Sequence, residues 1–155
     1  MLQIREMLEN ETEEVLGLWI ENCLESTGKS LSENELSTIL RNIGKYTSND
    51  SVYCIVAEEE NELVGFITAY LTSHPILRGL SGEIEEIYVT PHRRRSGLGL
   101  ELVKYVVSLM QTKGITVIRT KVSVKSQLAK KFWKNLSWEN DMTIFSLYDN
   151  KWPNK

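Results

Sequence analysis

Cysteine, proline and histidine are scarce in these 155 residues: two, three and two of each. Two cysteines cannot build a disulfide scaffold. Cys23 and Cys54 each sit within an apolar pattern and read as buried, reduced thiols, which points to a cytoplasmic protein. A cysteine-centred site would need a histidine close by, but His74 and His92 both fall in polar stretches. No metal site is expected from so few ligands. No apolar run approaches the roughly 20 residues of a membrane span. The first residues, MLQIREMLENETEE, are acidic and lack the basic start and apolar run of a signal peptide. With no repeat, low-complexity tract or Pro/Ser-rich linker, one domain over residues 1–155 is expected.

What the chain does have is a core and a divided charge. Hydrophobic residues make up 41% and charged residues 25%, a globular balance. The net charge of −3 conceals a split between the halves. Residues 1–62 carry 14 acids against 4 bases, a balance of −10; residues 63–155 carry 7 against 14, a balance of +7. One half favours cations and the other anions, unless the charges only decorate solvated helix faces.

The pattern of apolar residues gives the element order β-α-α-β-β-β-α-β-α-β. A short strand covers LQIRE. The helix over NETEEVLGLWIENCLES has Asn10 or Thr12 as its cap, and Val15, Leu16, Leu18, Trp19, Cys23 and Leu24 at helical spacing. Ser32 and Glu35 form a capping box for a second helix over 32–46. Strands over 52–57 and 63–71 make a hairpin around an acidic turn. The strand GEIEEIYVTP stops at Pro91, which cannot donate to a ladder. A strong amphipathic helix covers 97–113. The β-branched run ITVIRTKVSV is a strand, SQLAKKFWKNLSW a short basic helix, and MTIFSLYD, 142–149, a last strand. Several strands are consecutive, which is not the order of a doubly wound nucleotide fold.

The densest signal is HRRRSGLGLELV, 92–103. A strand ends, three arginines follow, and a helix begins at two glycines. The first turn of a helix has N–H groups without internal partners and a positive dipole end, and both stabilise a phosphate. Gly97 and Gly99 let an anion approach the backbone. A glycine-containing loop with solvated arginines is the plainer reading of the same residues. Leu102 stands where a dinucleotide fingerprint needs its third glycine, and no Walker loop is present. The chain is acidic overall and has no interleaved aromatic and basic residues, so no nucleic-acid partner is expected.

Arg94-x-x-Gly97-x-Gly99 after IYVTP resembles motif A of the GNAT superfamily of acetyl-CoA-dependent N-acetyltransferases. EIEEIYVTP resembles the family's fourth strand, and LAKKFWKNLSW its A-x-x-F-Y-x-x-L-G-F segment. The resemblance covers nearly the whole chain. It implies a mixed α/β fold: a mostly antiparallel sheet with a splayed strand pair, flanked by about four helices. It implies acetyl-CoA as cosubstrate and no metal. Arg94 would belong to the cofactor site, with the N–H groups of Arg95, Ser96, Gly97, Leu98, Gly99 and Leu100 around the pyrophosphate. Ile87 and Val89 would pair with the pantetheine arm, and Ser126 takes the place of an Asn that touches it. The Val89 N–H would hold the oxyanion. Homodimers are common in such a family, although no residue here requires one.

The acceptor of such a reaction is an ammonium at neutral pH, with a reference pKa near ~10, and needs a base before it can attack a thioester. Glu83, Glu85 and Glu86 lie on the strand flanking the slot. Strand alternation puts Glu83 and Glu85 with Ile87 and Val89 on one face, and Glu86 with Ile84 and Tyr88 on the other. Glu83, 11 residues before Arg94, matches the family's catalytic Glu and ranks first. Glu85 comes next and Glu86 third; all three could instead only attract a cation. The family's general-acid Tyr is replaced by Trp133, whose indole N–H is not an acid in this range. The thiolate then leaves unprotonated, water or another Tyr serves, or transfer is weak. Acidic residues of the first two helices (Glu11, Glu13, Glu14, Glu21, Glu25, Glu33, Glu35) favour a small cationic amine as acceptor. A CoA-binding regulatory module and a protein N-acetyltransferase stay open as alternatives.

Overall fold

Glu60 and Asn61 adopt φ of 53° and 65°, the left-handed pair of a two-residue hairpin turn, and fold the chain back on itself there. The structure, a computed structural model, describes residues 1–74, 76 and 78–148. It divides into two compact units, Met1–Lys121 and Val122–Lys155.

The first unit contains β1 (Gln3–Glu6), α1 (Thr12–Thr27), α2 (Glu33–Lys45), β2 (Val52–Glu59), β3 (Glu62–Ser73), β4 (Leu80–Val89), α3 (Leu98–Thr112) and β5 (Ile118–Thr120). The strands form one sheet in the order β1-β2-β3-β4-β5. Every pairing is antiparallel except β4 with β5, which the α3 crossover makes parallel. The mixed α/β class and the mostly antiparallel sheet are as the family resemblance implies.

Alternation along the strands sorts the two faces. Phe66 stacks on Trp19 of α1, with ring centroids 5.6 Å apart, and the buried set Val15, Leu18, Ile43, Val56 and Tyr88 continues that core. Gly65, its neighbour, faces the other way. A methyl group there would meet the Tyr88 carbonyl of β4 at 2.9 Å, with Leu102 of α3 at 3.4 Å, so only glycine fits against the neighbouring strand at this point. Leu98, Leu102, Val103, Val106 and Met110 of α3 are all buried.

Local signals decide several boundaries. Ser32 and Glu35 make the expected reciprocal cap, at 3.2 and 2.6 Å. Gly28, at φ 69°, closes α1. Neither Asn10 nor Thr12 caps the start of α1, contrary to expectation: Glu11 is the N-cap residue. Its carboxylate instead accepts the Leu8 N–H at 2.7 Å and an Arg5 guanidinium N–H at 2.9 Å, while Arg5 also bonds Glu58. A charge-assisted pair outcompetes a neutral cap here.

Two strands differ from the pattern. β5 is confined to Ile118–Thr120, where it pairs with Gly82–Ile84 of β4; the flanking β-branched residues have no ladder to join. In the second unit, α4 (Gln127–Asn135) is capped by Ser126, but the last strand expected over 142–149 is absent among the described residues, and Asp149 lies outside them. Alternation alone does not make a strand, because its hydrogen bonds come from a neighbour. Ile144 and Phe145 are 60% and 93% exposed, so neither side of that segment faces a core.

Candidate active site

The chain leaves β4 at Thr90, makes one 3-10 turn over Pro91–Arg93, and enters α3 through Gly97. Arg95 (φ 60°) and Gly97 (φ 82°) are both left-handed. Such alternation turns successive N–H groups toward one concavity, and the first helical turn adds its own unpaired donors. Among the described residues, the N–H groups from Arg95 to Leu100 find no protein acceptor, and the first closing bond is Glu101 N–H to Gly97 C=O at 3.1 Å. The loop is exposed while Leu98 is buried, so the helix end is anchored and its donors are open to solvent.

The three arginines separate. Arg93 pairs with Glu59 at 3.1 Å. Arg94 turns back: its Nη2 donates to both carboxylate oxygens of Glu25 of α1 at 2.7 and 2.8 Å, its Nε donates to the Val89 carbonyl at 2.9 Å, and it lies 5.5 Å from the centre of the Tyr88 ring. Of these three, Arg95 has no ion-pair partner among the described residues. The Arg94 side chain, expected at the cofactor site, is held by Glu25 and by the outward Val89 carbonyl.

The strand itself carries an irregularity that alternation cannot show. Thr68 pairs with Glu86 but Ala69 with Ile84, so Glu85 is an extra residue, a β-bulge. It shifts the phase of everything after it. Gly82 lies over Met110 of α3, which puts Glu83 on the opposite face, toward α1 and α2. Glu86 accepts from the Asn22 amide of α1 at 2.8 Å, and the Tyr88 hydroxyl donates to Glu21 at 2.9 Å. Glu85 lies beside the Tyr46 hydroxyl at the end of α2. Glu83, Glu85, Glu86 and Tyr88 therefore share the α1/α2 face, and Val89 lies opposite Gly65 on the α3 face. This corrects the alternation that separated Glu86 from Glu83 and Glu85.

The backbone changes phase in the same place. Before the bulge, Gly82 N–H bonds Val117 on the β5 side at 2.9 Å. After it, Thr90 N–H bonds the Val64 carbonyl at 2.9 Å, with Gly65 opposite Val89 and Ile67 opposite Ile87. Bonded and non-bonded pairs alternate in an antiparallel ladder, so the N–H and C=O groups of Ile87 and Val89 point away from β3. β5 pairs with β4 only up to Ile84, and beyond it this edge is unpaired by any strand among the described residues. The splay of β4 from β5 thus starts at the bulge.

The acids on this face are not alike. Glu83 is buried, with Arg119 at 3.8 Å and Lys121 at 3.6 Å. Burial raises Glu85 above the usual carboxylate range, opposed by the Tyr46 hydroxyl and Lys121. Glu86 is pushed up to about 7 by burial and by the charge of Glu85, with the Asn22 bond opposing. Tyr88 is pushed up to about 12 by burial and its bond to Glu21. Asn22, Tyr46 and Tyr88 carry no chemical signature in the sequence that marks them as site residues.

In the second unit, the Ser126 hydroxyl accepts the Ala129 N–H at 3.3 Å as a helix cap. Trp133 is buried, edge-on to Phe132 at 5.0 Å and tilted against Trp138 at 4.5 Å. Among the described residues no group of three His, Cys, Asp or Glu stands ready to hold a metal ion, and no helix is long and apolar enough to cross a membrane.

Comparison with known proteins fits this geometry. An L-2,4-diaminobutyric acid acetyltransferase of Shouchella clausii (strain KSM-K16) is 28% identical over 100 residues, 63% of this chain and 54% of that protein. The chain thus spans about half the length of that relative. A possible acetyltransferase from Clostridium difficile 630 has a similar fold, with a TM-score of 0.81 at 18% identity over 96% of this chain and 97% of that one. The aminoglycoside N-acetyltransferase AAC(6')-Iy, solved with CoA, gives a TM-score of 0.81 at 19% identity over 96% and 95%. The model of the acetyltransferase (GNAT) family matches residues 14–138, and the chain belongs to that family.

Proposed function

We propose that this chain, acting as one functional domain over residues 1–155, transfers an acetyl group from acetyl-CoA to the primary amine of a small cationic acceptor, directly within a ternary complex. The observation that carries this reading is the row of unbonded N–H groups from Arg95 to Leu100, set at the end of a strand whose Ile87 and Val89 amides face an unpaired edge. A diphosphate fits the first and an extended amide chain the second, by the same bonds that would add a strand. Arg95 adds a charge to the first.

The roles of the protein groups follow from charge and geometry. The Val89 N–H donates to the carbonyl oxygen as it becomes an oxyanion. Arg94 holds the other end of the adjoining peptide through the Val89 carbonyl. Glu85, with Glu21 of α1, gives the α1/α2 face a negative field that attracts an ammonium, while the charge of Glu83 is matched by Arg119 and Lys121. The diaminobutyrate relative and the aminoglycoside enzyme act, by their names, on a diamino acid and on aminoglycosides, which supports a small amine acceptor. Neither cysteine lies in this loop or strand edge, and Cys54 is buried with its pKa raised by burial, which favours direct transfer over an acetyl-enzyme.

The test is thiol release from acetyl-CoA with a panel containing L-2,4-diaminobutyrate, spermidine, kanamycin and the zwitterion β-alanine. Release with one or more of the first three, at least tenfold faster than with β-alanine, is expected. A second reading, a CoA-binding module with little catalysis, is favoured by Trp133 in place of the family's Tyr. It predicts calorimetric binding of acetyl-CoA with no thiol release from any amine.

A further inference from the structure

Three carboxylates share the face where the acceptor would lie, and the one that matches the family's placement is engaged in ion pairs. Glu83 is buried, with Arg119 at 3.8 Å and Lys121 at 3.6 Å. Glu85 is the extra residue of the bulge and lies beside the Tyr46 hydroxyl. Glu86 differs from both. It is half-buried, its only side-chain hydrogen-bond partner among the described residues is the neutral Asn22 amide, and its backbone N–H is fixed by the Thr68 hydroxyl at 3.1 Å. It stands at the point where β5 stops pairing and the slot begins.

We propose that Glu86, positioned by Asn22, is the catalytic base of this chain, and that the bulge at Glu85 is what turns it to the acceptor face. The inference rests on the acetyl-transfer reading. In the step, the Glu86 carboxylate takes one proton from the acceptor ammonium. The freed nitrogen pair forms the C–N bond at the thioester carbonyl, and the Val89 N–H holds the oxyanion. Collapse breaks the C–S bond, the second nitrogen proton goes to the departing thiolate, and Glu86 releases its proton to water. The sum is one ammonium and one thioester giving one amide, one thiol and one proton.

The groups around Glu86 set its titration. From β4 the Glu85 charge raises it; from α1 the Asn22 amide lowers it, and Cys23 is neutral there because burial and the charges of Glu86 and Glu35 hold its thiol up. From α2, Tyr46 stays a neutral hydroxyl through burial and the charge of Glu85. Glu86 titrates at about 7, so a base in this position is half-available at neutral pH.

The experiment follows kcat/KM against pH with the amine that the wild-type protein turns over fastest in the panel. Wild type is expected to rise through about pH 7 to a plateau. Glu86→Gln should lose about 100-fold and the limb with it, while acetyl-CoA affinity by calorimetry stays within twofold. Glu83→Gln should keep the limb. Asn22→Ala should move it to higher pH, since the amide favours the carboxylate, an effect that a merely structural role would not give. Independently of turnover, carbon-13 NMR of labelled glutamate should show one carboxyl titrating near neutrality in wild type and absent in Glu86→Gln. An active Glu86→Gln with an intact limb, or no such carboxyl, overturns the assignment and leaves acetyl transfer standing. A wild type that binds acetyl-CoA but releases no thiol overturns the acetyl-transfer reading, and the base falls with it.

Discussion

Arg94 reaches in three directions from one side chain: to Glu25, to the Val89 carbonyl and across the Tyr88 ring. It ties the acidic helix α1 to the strand end that presents the proposed oxyanion donor. The Arg94–Glu25 pair is about half exposed, 42% and 45%, so its worth to stability is small, about 0.5 kcal/mol. A double-mutant cycle of Arg94→Gln and Glu25→Gln, read by urea denaturation, should return that coupling at low salt and lose it at high salt. Turnover should respond differently. Arg94→Gln also releases the Val89 peptide and should lower kcat about tenfold, whereas Glu25→Gln leaves that bond in place and should lower it much less. None of this was legible in RRRSGLG, because the partners Glu59 and Glu25 are distant in sequence. The loop and its glycines were legible, since a strand end, Pro91 and a helix start are local signals.

At the level of elements, the start of α1 shows how one ion pair replaces a cap. The Arg5 guanidinium bond, aided by the Leu8 N–H and against burial, holds the Glu11 carboxyl below its usual range. A carboxylate whose pKa is lowered on folding stabilises above its unfolded value and loses that contribution as pH falls through the folded one. Glu11→Gln should therefore cost about 2 kcal/mol at pH 7, because Arg5 is left with Glu58 alone. The gap between variant and wild type, measured by urea denaturation, should close as the pH drops below about 4. Sequence patterns recovered the capping box at Ser32 and Glu35, the hairpin turn and α3, all settled within a few residues. They missed the Glu11 arrangement and the bulge, which depend on Arg5 and Thr68 from other strands. They also extended β5 and drew a strand over 142–149, because alternation reports a capacity to pair and not the presence of a neighbour.

For the whole molecule, the split of charge between the halves gains a physical sense on the proposed reading. The acids Glu21, Glu25, Glu85 and Glu86 gather on the α1/α2 face, while Arg95 and the open N–H groups lie at the α3 entrance. Opposite fields would draw a polyamine and a phosphate-bearing cosubstrate to different doors. Raising ionic strength from about 0.02 to 0.3 M should then lower kcat/KM for spermidine several-fold and leave that for β-alanine nearly unchanged, as the Debye length shrinks. Equal salt sensitivity for both amines would remove the steering idea.

The extra residue at Glu85 makes the local path of β4, and not only its composition, a determinant of chemistry. Excising that one residue would seat Ile84 and Glu86 side by side opposite Ala69 and Thr68 and leave every side chain beyond on its present face. What the deletion would remove is the kink and added twist that a bulge brings just where β5 stops pairing, so one codon lost here would separate the opening of the slot from the identity of the groups that line it.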